Sequence, residues 1–257
     1  MSKPVPFRNV LVTGATSGIG RACALWFARR GAARVFFCGR DEARLAAVAR
    51  EIRAAGAEPH PRALDVADAD ATRAWLEAAD AAAPLDLVFA NAGIASPGPD
   101  EASQRRTFAV DVGGVVNTVL PAIARYRLPG VERAAKRLAI TSSMTGYHGM
   151  PQCPAYSASK AFAKAWGAAL RGSLRAEGIV VTTICPGFVR SRITDENKCP
   201  MPFFLEAPAA ADVIGRGIER GAGLVSFPWP MRLAMWWISS LPEVLSERLF
   251  RLLPEKR

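Results

Sequence analysis

The sequence predicts an α/β fold in which a doubly wound parallel sheet is covered by helices on both faces. Short apolar runs alternate with longer segments of helical periodicity along most of the 257 residues. A glycine-rich turn lies between the first apolar run and the first helical segment. Because neither a linker nor a repeat divides the chain, we predict a single domain. Residues 1–228 form its nucleotide-binding and catalytic part, and residues 229–257 add a C-terminal helical appendage.

Strand and helix alternate along the chain. The predicted strands are Arg8–Thr13, Arg34–Gly39, Pro61–Leu64, Leu85–Ala90, Leu138–Ser142, Ile179–Cys185 and Gly223–Phe227. The predicted helices are Gly18–Arg30, Asp41–Ala55, Asp68–Asp80, Ser103–Tyr126, Pro154–Glu177 and Pro208–Arg220. This order is typical of a parallel sheet built from strand–helix–strand units.

Charge and composition narrow the classes of partner. The net charge is +10, but Lys and Arg are spread along the chain. This distribution favours a solvated basic face and no nucleic-acid partner; attraction to anionic substrates or lipid is the alternative. The densest group is Arg125, Arg127, Arg133, Lys136 and Arg137.

Cysteine and histidine content indicates a reducing compartment and no metal site. The five cysteines include no C-x-x-C pair, and their number is odd. A cytoplasmic location is therefore expected. Only His60 and His148 are present, which excludes a multi-histidine metal site. The first ten residues lack a long apolar core, so we do not expect a secretion signal there.

The glycine-rich turn has the properties of a phosphate-binding loop. It spans Thr13–Gly20 and reads T-G-A-T-S-G-I-G. Glycines let the backbone approach a pyrophosphate, whose charge then faces the N-terminus of the next helix. Because the loop follows an apolar strand and opens a helix, the context supports dinucleotide binding rather than an ordinary turn.

Three further motifs follow predicted strands in the same order along the chain. They are Asp65-Val66, Asn91-Ala92-Gly93, and Pro186-Gly187 with Ser191. With the T-G-x-x-x-G-x-G spacing, the chain from about Arg8 to Ser191 resembles the short-chain dehydrogenase/reductase family. The resemblance implies a Rossmann-type fold and a nicotinamide cofactor. It implies that the first motif lies beside the adenine and that the third holds the nicotinamide amide.

The end of the second strand favours NADP(H) over NAD(H). An NAD enzyme usually carries Asp or Glu there to bind the ribose hydroxyls. Here Gly39 occupies that position and Arg40 follows it, and a guanidinium can bind a phosphate through two parallel hydrogen bonds. A surface arginine in an ordinary turn is the alternative, and Asp41 adds an opposing charge.

The catalytic group is predicted to be Ser143, Tyr156 and Lys160. Tyr156 and Lys160 are four residues apart and share one helix face, and Ser143 matches the family's serine–tyrosine spacing. Reduction of a carbonyl needs a proton donor near the developing oxygen charge. We assign Tyr156 as the acid/base, Ser143 to hold the substrate oxygen, and Lys160 to lower the pKa of Tyr156 and bind the ribose.

One position departs from the family pattern. The usual N-x-x-G motif reads Asp111-Val112-Gly113-Gly114 in this chain. Asp111 can accept a hydrogen bond from water but cannot donate when ionised, and it adds negative charge near Lys160. We therefore expect a working but altered proton relay that includes Asp111 as a catalytic residue.

The cofactor site predicted by these arguments has seventeen members. They are Gly14, Thr16, Ser17, Gly18, Ile19, Gly20, Arg40, Asp65, Val66, Asn91, Ala92, Gly93, Tyr156, Lys160, Pro186, Gly187 and Ser191. The predicted function is hydride transfer between NADP(H) and a small carbonyl or secondary alcohol substrate. A nucleotide-binding sensor without turnover is the alternative, although such a protein has no physical need for the catalytic group.

The substrate, the assembly and the tail are less defined by the sequence. Apolar residues after the sixth strand predict either a lid over an apolar substrate pocket or ordinary core packing; they are Phe188, Ile193, Met201, Phe203, Phe204 and Leu205. The family commonly pairs the Ser103–Tyr126 and Pro154–Glu177 helices, so a homo-oligomer is expected. Residues on a second apolar face of these helices are Val115, Val119, Phe162 and Trp166.

The tail combines a tryptophan-rich patch with an amphipathic helix. The patch is followed at Ser240–Glu243 by the form of a capping box. The helix that opens there would place Leu241, Val244, Leu245, Leu249, Leu252 and Leu253 along one stripe. The patch, which comprises Met231, Leu233, Met235, Trp236, Trp237 and Ile238, contains Arg232 and is too short to span a bilayer. The tail would cover the cleft, pair with another subunit, or lie on the inner face of a membrane.

Overall fold

The structure is a seven-stranded parallel sheet with helices on both faces, as the sequence predicts. It is a computed structural model that describes residues 7–95, 100–191, 194, 201–242, 244–246 and 248. The strands are β1 Asn9–Val12, β2 Arg34–Gly39, β3 Glu58–Ala63, β4 Leu87–Ala90, β5 Arg137–Thr141, β6 Val180–Pro186 and β7 Leu224–Phe227. Their order across the sheet is β3-β2-β1-β4-β5-β6-β7.

Eight α-helices cover the sheet in the described part of the chain. They are α1 Gly18–Arg29, α2 Glu42–Ala54, α3 Ala69–Ala82, α4 Glu101–Phe108, α5 Gly114–Tyr126, α6 Pro154–Ser173, α7 Ala207–Glu219 and α8 Trp229–Ser239. Three of them begin at an aspartate whose carboxylate accepts from a backbone N–H of the first turn, at Asp41, Asp68 and Asp100.

Two apolar layers hold the helices to the sheet. In β1, Val10 and Val12 belong to one core cluster and Leu11 to the other, because successive side chains of a strand point to opposite faces. The first cluster joins β1 to α1, α2 and α7, and the second joins it to α3, α5 and α6. All these strands are parallel, so the loops after their carboxyl ends meet at one edge, where ligands bind in such folds.

Several element boundaries differ from the sequence expectation. β3 begins at Glu58, three residues earlier than predicted, because it pairs with β2 over its whole length. α6 ends at Ser173, and a short 3₁₀ turn covers Arg175–Glu177 before Gly178 turns the chain with a positive φ of 71°. A further 3₁₀ turn, Met144–Tyr147, follows β5 and was not predicted.

The predicted helix Ser103–Tyr126 is a continuous helical run with a distortion inside it. α4 and α5 are joined by a π-helical turn over Ala109–Gly113. The whole run, Glu101–Tyr126, is long and apolar enough to cross a membrane by composition, but 56% of its most apolar window is buried. It packs as a core helix, and Val115 and Val119 face the sheet rather than a partner subunit.

The densest basic group is largely neutralised within the fold. Arg125 and Arg133 both bind the buried carboxylate of Asp80, at 2.7 and 3.0 Å, and Arg127 pairs with Glu177 at 2.7 Å. Three of the five basic residues in this group are therefore paired with carboxylates.

The tail begins with a helix that the sequence analysis treated only as an apolar patch. α8 opens directly after β7, with Pro230 in its first turn. Of the helix predicted to start at Ser240, Val244–Ser246 are helical, and Val244 and Leu245 are exposed. The remaining stripe residues, Leu249, Leu252 and Leu253, lie outside the described residues.

Candidate active site

A cleft at the carboxyl edge of the sheet brings the predicted site together. It has a volume of about 350 Å³ and is lined by segments that follow each of the six strands β1 to β6. All seventeen predicted cofactor residues and Ser143 lie on its wall. Asp111 does not, because its side chain is fully buried.

The phosphate loop has the backbone geometry that the glycines predict. Gly14 and Gly18 both have positive φ, 67° and 52°. A Cβ on Gly20 would lie 2.3 Å from the Gly14 carbonyl oxygen, so this position tolerates no side chain. The first turn of α1 contains no acidic residue, and its cap, Ser17, makes no side-chain cap bond. The N-terminus of α1 is therefore suited to an anionic group.

The Asn91 side chain ties the phosphate loop to two neighbouring strands. Its amide donates to the Thr13 carbonyl at 3.1 Å, and its carbonyl accepts from the Thr141 hydroxyl at 3.1 Å. The Thr13 hydroxyl in turn accepts the N–H groups of Asn91 and Ala92, each at 3.0 Å. The N-A-G motif thus links the strands beneath the cleft and also lines the cleft.

The end of β2 is crowded and positively charged. A Cβ on Gly39 would lie 2.4 Å from Cγ2 of Thr16. Arg40, the next residue, is exposed and lines the cleft. A second guanidinium, that of Arg106, lines the same end and forms an ion pair with Asp65. Burial acts to raise the pKa of Asp65, but the bond from Arg106 and the Ala67 N–H hold that pKa below its usual value.

Sequence reasoning missed Arg106 because it lies on a predicted helix with no motif around it. Other unpredicted wall residues are Cys38, Leu64, Ile94, Ala95, Val110, Ser142, Val189 and Thr194. The described residues contain no group of three or more His, Cys, Asp or Glu side chains that could hold a metal ion.

The catalytic group is assembled from β5 and α6. Ser143 follows β5 and caps the 3₁₀ turn with its hydroxyl, and its side chain also acts to lower the pKa of Tyr156. The Lys160 ammonium lies 5.3 Å from the centre of the Tyr156 ring. The three residues that the sequence predicts as a catalytic group therefore lie together at one end of the cleft.

Backbone contacts fix α6 against β5. The Ser142 hydroxyl donates to the Lys160 carbonyl at 2.6 Å, within a fully buried contact. A Cβ on Gly146 would lie 2.6 Å from the same carbonyl oxygen. These two contacts set the position of Lys160, and hence of Tyr156 one turn earlier, relative to Ser143.

Asp111 contacts Lys160 rather than the cleft. Its Oδ2 lies 2.9 Å from the Lys160 ammonium, and its Oδ1 accepts from the Ile94 N–H at 2.7 Å. The predicted negative charge near Lys160 is therefore present. The side chain has no exposed surface, and its part in the proton relay stays a prediction.

The net pKa of Tyr156 is raised rather than lowered, although Lys160 acts on it in the expected direction. Burial raises the pKa of Tyr156 above its usual value and outweighs the opposing effect of Lys160, and Asp111 raises it further. The pKa of Lys160 is also raised: burial acts to lower it, but the adjacent Asp111 carboxylate outweighs this. Burial raises the pKa of Asp111, with Lys160 opposing it.

The loop after β6 forms the last wall. Gly187 donates its N–H to the Phe227 carbonyl at 2.8 Å, and a Cβ on Gly18 would lie 2.8 Å from the Cβ of Ser191. The loop after β6 and the glycine-rich loop after β1 thus meet across the cleft. Of the apolar residues for which a lid and core packing were both open, Leu205 packs on the core, Phe203 is exposed, and Ile193 lies outside the described residues.

This fold and cleft define a dinucleotide-binding oxidoreductase, and comparison with known proteins identifies its family. The sequence profile of the short chain dehydrogenase family matches residues 8–200. An "Uncharacterized oxidoreductase" of Myxococcus xanthus (strain DK1622) is 42% identical over 250 residues, covering 95% of this chain and 97% of that protein.

Solved structures share the fold. A short chain dehydrogenase/reductase from Burkholderia phymatum, in complex with NAD, aligns over 100% of this chain and 99% of its own, with a TM-score of 0.81 and 24% identity. A short-chain dehydrogenase from Sphingobium yanoikuyae, in complex with NADPH, aligns over 97% of both chains, with a TM-score of 0.78 and 23% identity. The chain belongs to the short chain dehydrogenase family and is an oxidoreductase that uses a nicotinamide cofactor.

Proposed function

We propose that the protein transfers hydride between NADP(H) and a carbonyl or secondary alcohol substrate, with Tyr156 as general acid and base. The observation that carries this proposal is that Ser143, Tyr156 and Lys160 line the same cleft as the glycine-rich loop, with the Lys160 ammonium 5.3 Å from the centre of the Tyr156 ring. A nucleotide sensor would need the loop but not this group of side chains.

The residues divide the chemistry between them. The bound nicotinamide supplies hydride in reduction and accepts it in oxidation. Tyr156 donates its hydroxyl proton to the carbonyl oxygen as negative charge develops there, and takes it back in oxidation. Ser143 donates a hydrogen bond to the same oxygen and orients it toward Tyr156. Lys160 holds positive charge beside the phenol and is placed to bind the ribose.

The choice of NADP(H) rests on the end of β2. Position 39 has no room for the carboxylate that binds an NAD ribose, and Arg40 offers a guanidinium for a 2′-phosphate. The Burkholderia protein was solved with NAD and the Sphingobium protein with NADPH. The proposed preference for NADP(H) therefore rests on Gly39 and Arg40.

The substrate is proposed to be a small apolar carbonyl compound or alcohol. Side chains of Ile94, Val110 and Val189 contribute apolar surface to the cleft. Among the described residues of the cleft wall, the charged side chains other than Lys160 are Arg40, Asp65 and Arg106, which lie at the adenosine end. An anionic substrate therefore has no matching charge except that of Lys160.

A comparison of two variants tests the proposed function. NADPH oxidation is followed with a panel of ketones and aldehydes. Tyr156→Phe should lower turnover at least about 100-fold, a typical contribution of general acid catalysis, and leave NADPH affinity nearly unchanged. Lys160→Ala should impair both turnover and affinity. NADPH binding without turnover on any carbonyl in the wild type would favour the sensor.

We propose that the protein forms a homo-oligomer through the helical run of α4 and α5 together with α6. Phe108 and Leu120 are exposed on this run, and Phe162 and Trp166 stack with ring centres 5.4 Å apart while only partly buried. In the proposed contact between subunits, these residues take the place that the sequence had suggested for Val115 and Val119. A monomeric mass in sedimentation at micromolar concentration would contradict this proposal.

We propose that the outer face of α8 docks on an anionic lipid surface, which would place the protein in the cytoplasm at the inner face of a membrane. The inner face of α8 packs Met235, Met231 and Ile238 against the 3₁₀ turn that follows Ser143. The outer-face residues with more than half of their surface exposed are Trp229, Leu233, Trp236 and Trp237.

The chemistry of this outer face supports lipid as the occupant. Tryptophan is favoured at the headgroup boundary of a bilayer, where its ring is apolar and its N–H is polar. The one ionisable residue within α8 is Arg232, which is exposed, and the whole chain carries a charge of +10. A second subunit is the other candidate for this face.

A further inference from the structure

The Lys160 ammonium lies close to both the Asp111 carboxylate and the Tyr156 ring. It lies 2.9 Å from the Asp111 carboxylate and 5.3 Å from the centre of the Tyr156 ring. The side chains of Lys160 and Asp111 are 3% and 0% exposed. The positive charge beside the proposed proton donor is thus paired within the protein before any ligand binds.

The pair is held tightly from several sides. The π-helical turn places Asp111, and the Ile94 N–H fixes its Oδ1. A Cβ on Gly93 would lie 3.0 Å from the Lys160 nitrogen and 3.3 and 3.4 Å from the two Asp111 oxygens. Because Gly93 closes the space over the pair, solvent has little access to screen it.

The surroundings contain few other groups that change charge. Cys153, from the segment before α6, acts to raise the pKa of Tyr156, and Cys185, from β6, acts to raise that of Lys160. Burial raises the pKa of Cys185 to about 11, so this thiol is neutral at neutral pH. Ser143 contributes a hydroxyl. Asp111 is therefore the anionic partner of Lys160 in the described part of the chain.

We propose that Asp111 is a positioning residue that neutralises the Lys160 ammonium and so keeps the Tyr156 hydroxyl protonated to more alkaline pH than an amide at position 111 would. A lone ammonium favours the tyrosinate, whereas a carboxylate next to it removes that preference. The geometry carries this claim, and the raised pKa of Tyr156 agrees with it.

The consequence for the reaction rests on the proposed function. Carbonyl reduction uses protonated Tyr156, so its rate should persist into alkaline solution and fall only as the phenol ionises. Oxidation uses the tyrosinate, so its rate should rise over the same pH range. In Asp111→Asn, the fall in the reduction rate and the rise in the oxidation rate should both shift to lower pH by the same amount.

Tyrosinate absorbance measures the ionisation midpoint of Tyr156 and so tests the proposal without substrate or cofactor. The chain has three tyrosines, and Tyr126 is fully buried, with its pKa raised far above the usual value. Subtracting the Tyr156→Phe spectrum from that of the wild type isolates the absorbance of Tyr156. Circular dichroism at each pH defines the range in which the protein stays folded.

Asp111→Asn should lower the Tyr156 midpoint by about one pH unit or more. Glu101→Gln is the matched control, because it removes a carboxylate from the same helical run at a side chain that is 78% exposed, and it should not move the midpoint. Asp111→Ser, a second neutral variant, covers the case in which the amide fails to fold. An unchanged or higher midpoint in the neutral variants would overturn the proposal.

The role of Asp111 and the proposed hydride transfer can be rejected independently of each other. A shifted midpoint in a protein that turns over no carbonyl would sustain the role of Asp111 and reject the enzyme assignment. Turnover that depends on Tyr156, with pH profiles that coincide in wild type and Asp111→Asn, would sustain the enzyme and reject the role of Asp111.

Discussion

Gly39 and Thr16 approach so closely at the adenosine end of the cleft that a Cβ on Gly39 would lie 2.4 Å from Cγ2 of Thr16. A side chain at position 39 requires Thr16 to move. The β-branched Thr16 has few rotamers with which to do so. The carboxylate that binds the ribose in NAD enzymes is therefore absent from the sequence, and a side chain at position 39 would have to displace the Thr16 side chain.

Arg40→Ala should lower NADPH affinity about tenfold or more and change NADH affinity little. A hydrogen bond to a charged group contributes roughly 1.5–3 kcal/mol, and every 1.4 kcal/mol is about tenfold. Titration of intrinsic tryptophan fluorescence with each cofactor gives both affinities. Arg44→Ala is the control, since Arg44 is one turn away and pairs with Asp41 at 3.1 Å. Equal loss for both cofactors would mean that Arg40 does not read the 2′-phosphate.

Gly20→Ala should weaken cofactor binding about tenfold and destabilise the fold by about 1–3 kcal/mol, as overpacking does. The added methyl would lie 2.3 Å from the Gly14 carbonyl oxygen and 2.5 Å from the Asn91 amide nitrogen. Gly172→Ala in α6 is the matched control, because its Cβ meets no atom within 4 Å. That change should be neutral or stabilise by up to about 1 kcal/mol. Urea unfolding and NADPH titration measure both effects.

Asp80→Asn should destabilise the protein by about 3–5 kcal/mol at neutral pH, because it leaves Arg133 without a counter-charge. The side chains of Asp80 and Arg133 are 0% and 2% exposed. Burial acts to raise the pKa of Asp80, but bonds from Arg133, the Leu85 N–H and Arg125 outweigh it and lower the pKa. Urea unfolding at several pH values gives the free energy of unfolding.

The sign of the pH dependence follows from this lowered pKa. The stabilisation by Asp80 is fully present above the unfolded carboxyl pKa of about 3.9, and is lost as the pH falls through the folded value. The difference between wild type and Asp80→Asn should therefore narrow in acid. Asp212→Asn, in the exposed pair with Arg216, should leave the unfolding midpoint nearly unchanged. A constant difference down to pH 2 would contradict the assignment.

The order of the elements and the wall of the cleft were predictable because both depend on local signals. The glycine loop, Asn91-Ala92-Gly93 and Pro186-Gly187 each follow an apolar run, and parallel strands deliver such segments to one edge. The T-G-x-x-x-G-x-G spacing identified the family. The number of residues between Ser143 and Tyr156 was sufficient to predict that they lie together, because Ser143 follows one strand and Tyr156 lies on the next helix.

Contacts between distant segments were not predictable. The ion pair of Arg106 with Asp65 joins residues 41 apart, and no motif marks Arg106. The π-helical turn at Asp111 does not alter the apolar pattern of the helical run, so the sequence predicted one regular helix. The sign of the Tyr156 pKa shift depends on burial, which spacing does not report.

The outer face of α8 gives the last prediction. If it docks on anionic lipid, the full chain should float with vesicles that contain anionic lipid, and the double variant Trp236→Ser, Trp237→Ser should not. Both tryptophans are more than half exposed, at 59% and 56%, so their loss should leave the fold intact. Val213→Ser is the control, because Val213 is an exposed apolar residue on α7, away from this face.

Vesicles without anionic lipid separate the two contributions to binding. Apolar contact by the tryptophans persists on neutral lipid, whereas attraction of Arg232 and of the net charge is lost there and is screened by salt. Flotation should therefore be weaker on neutral vesicles and at high salt. If the wild type does not float on either lipid and the double variant lowers the mass found by sedimentation, the outer face of α8 is a contact between subunits.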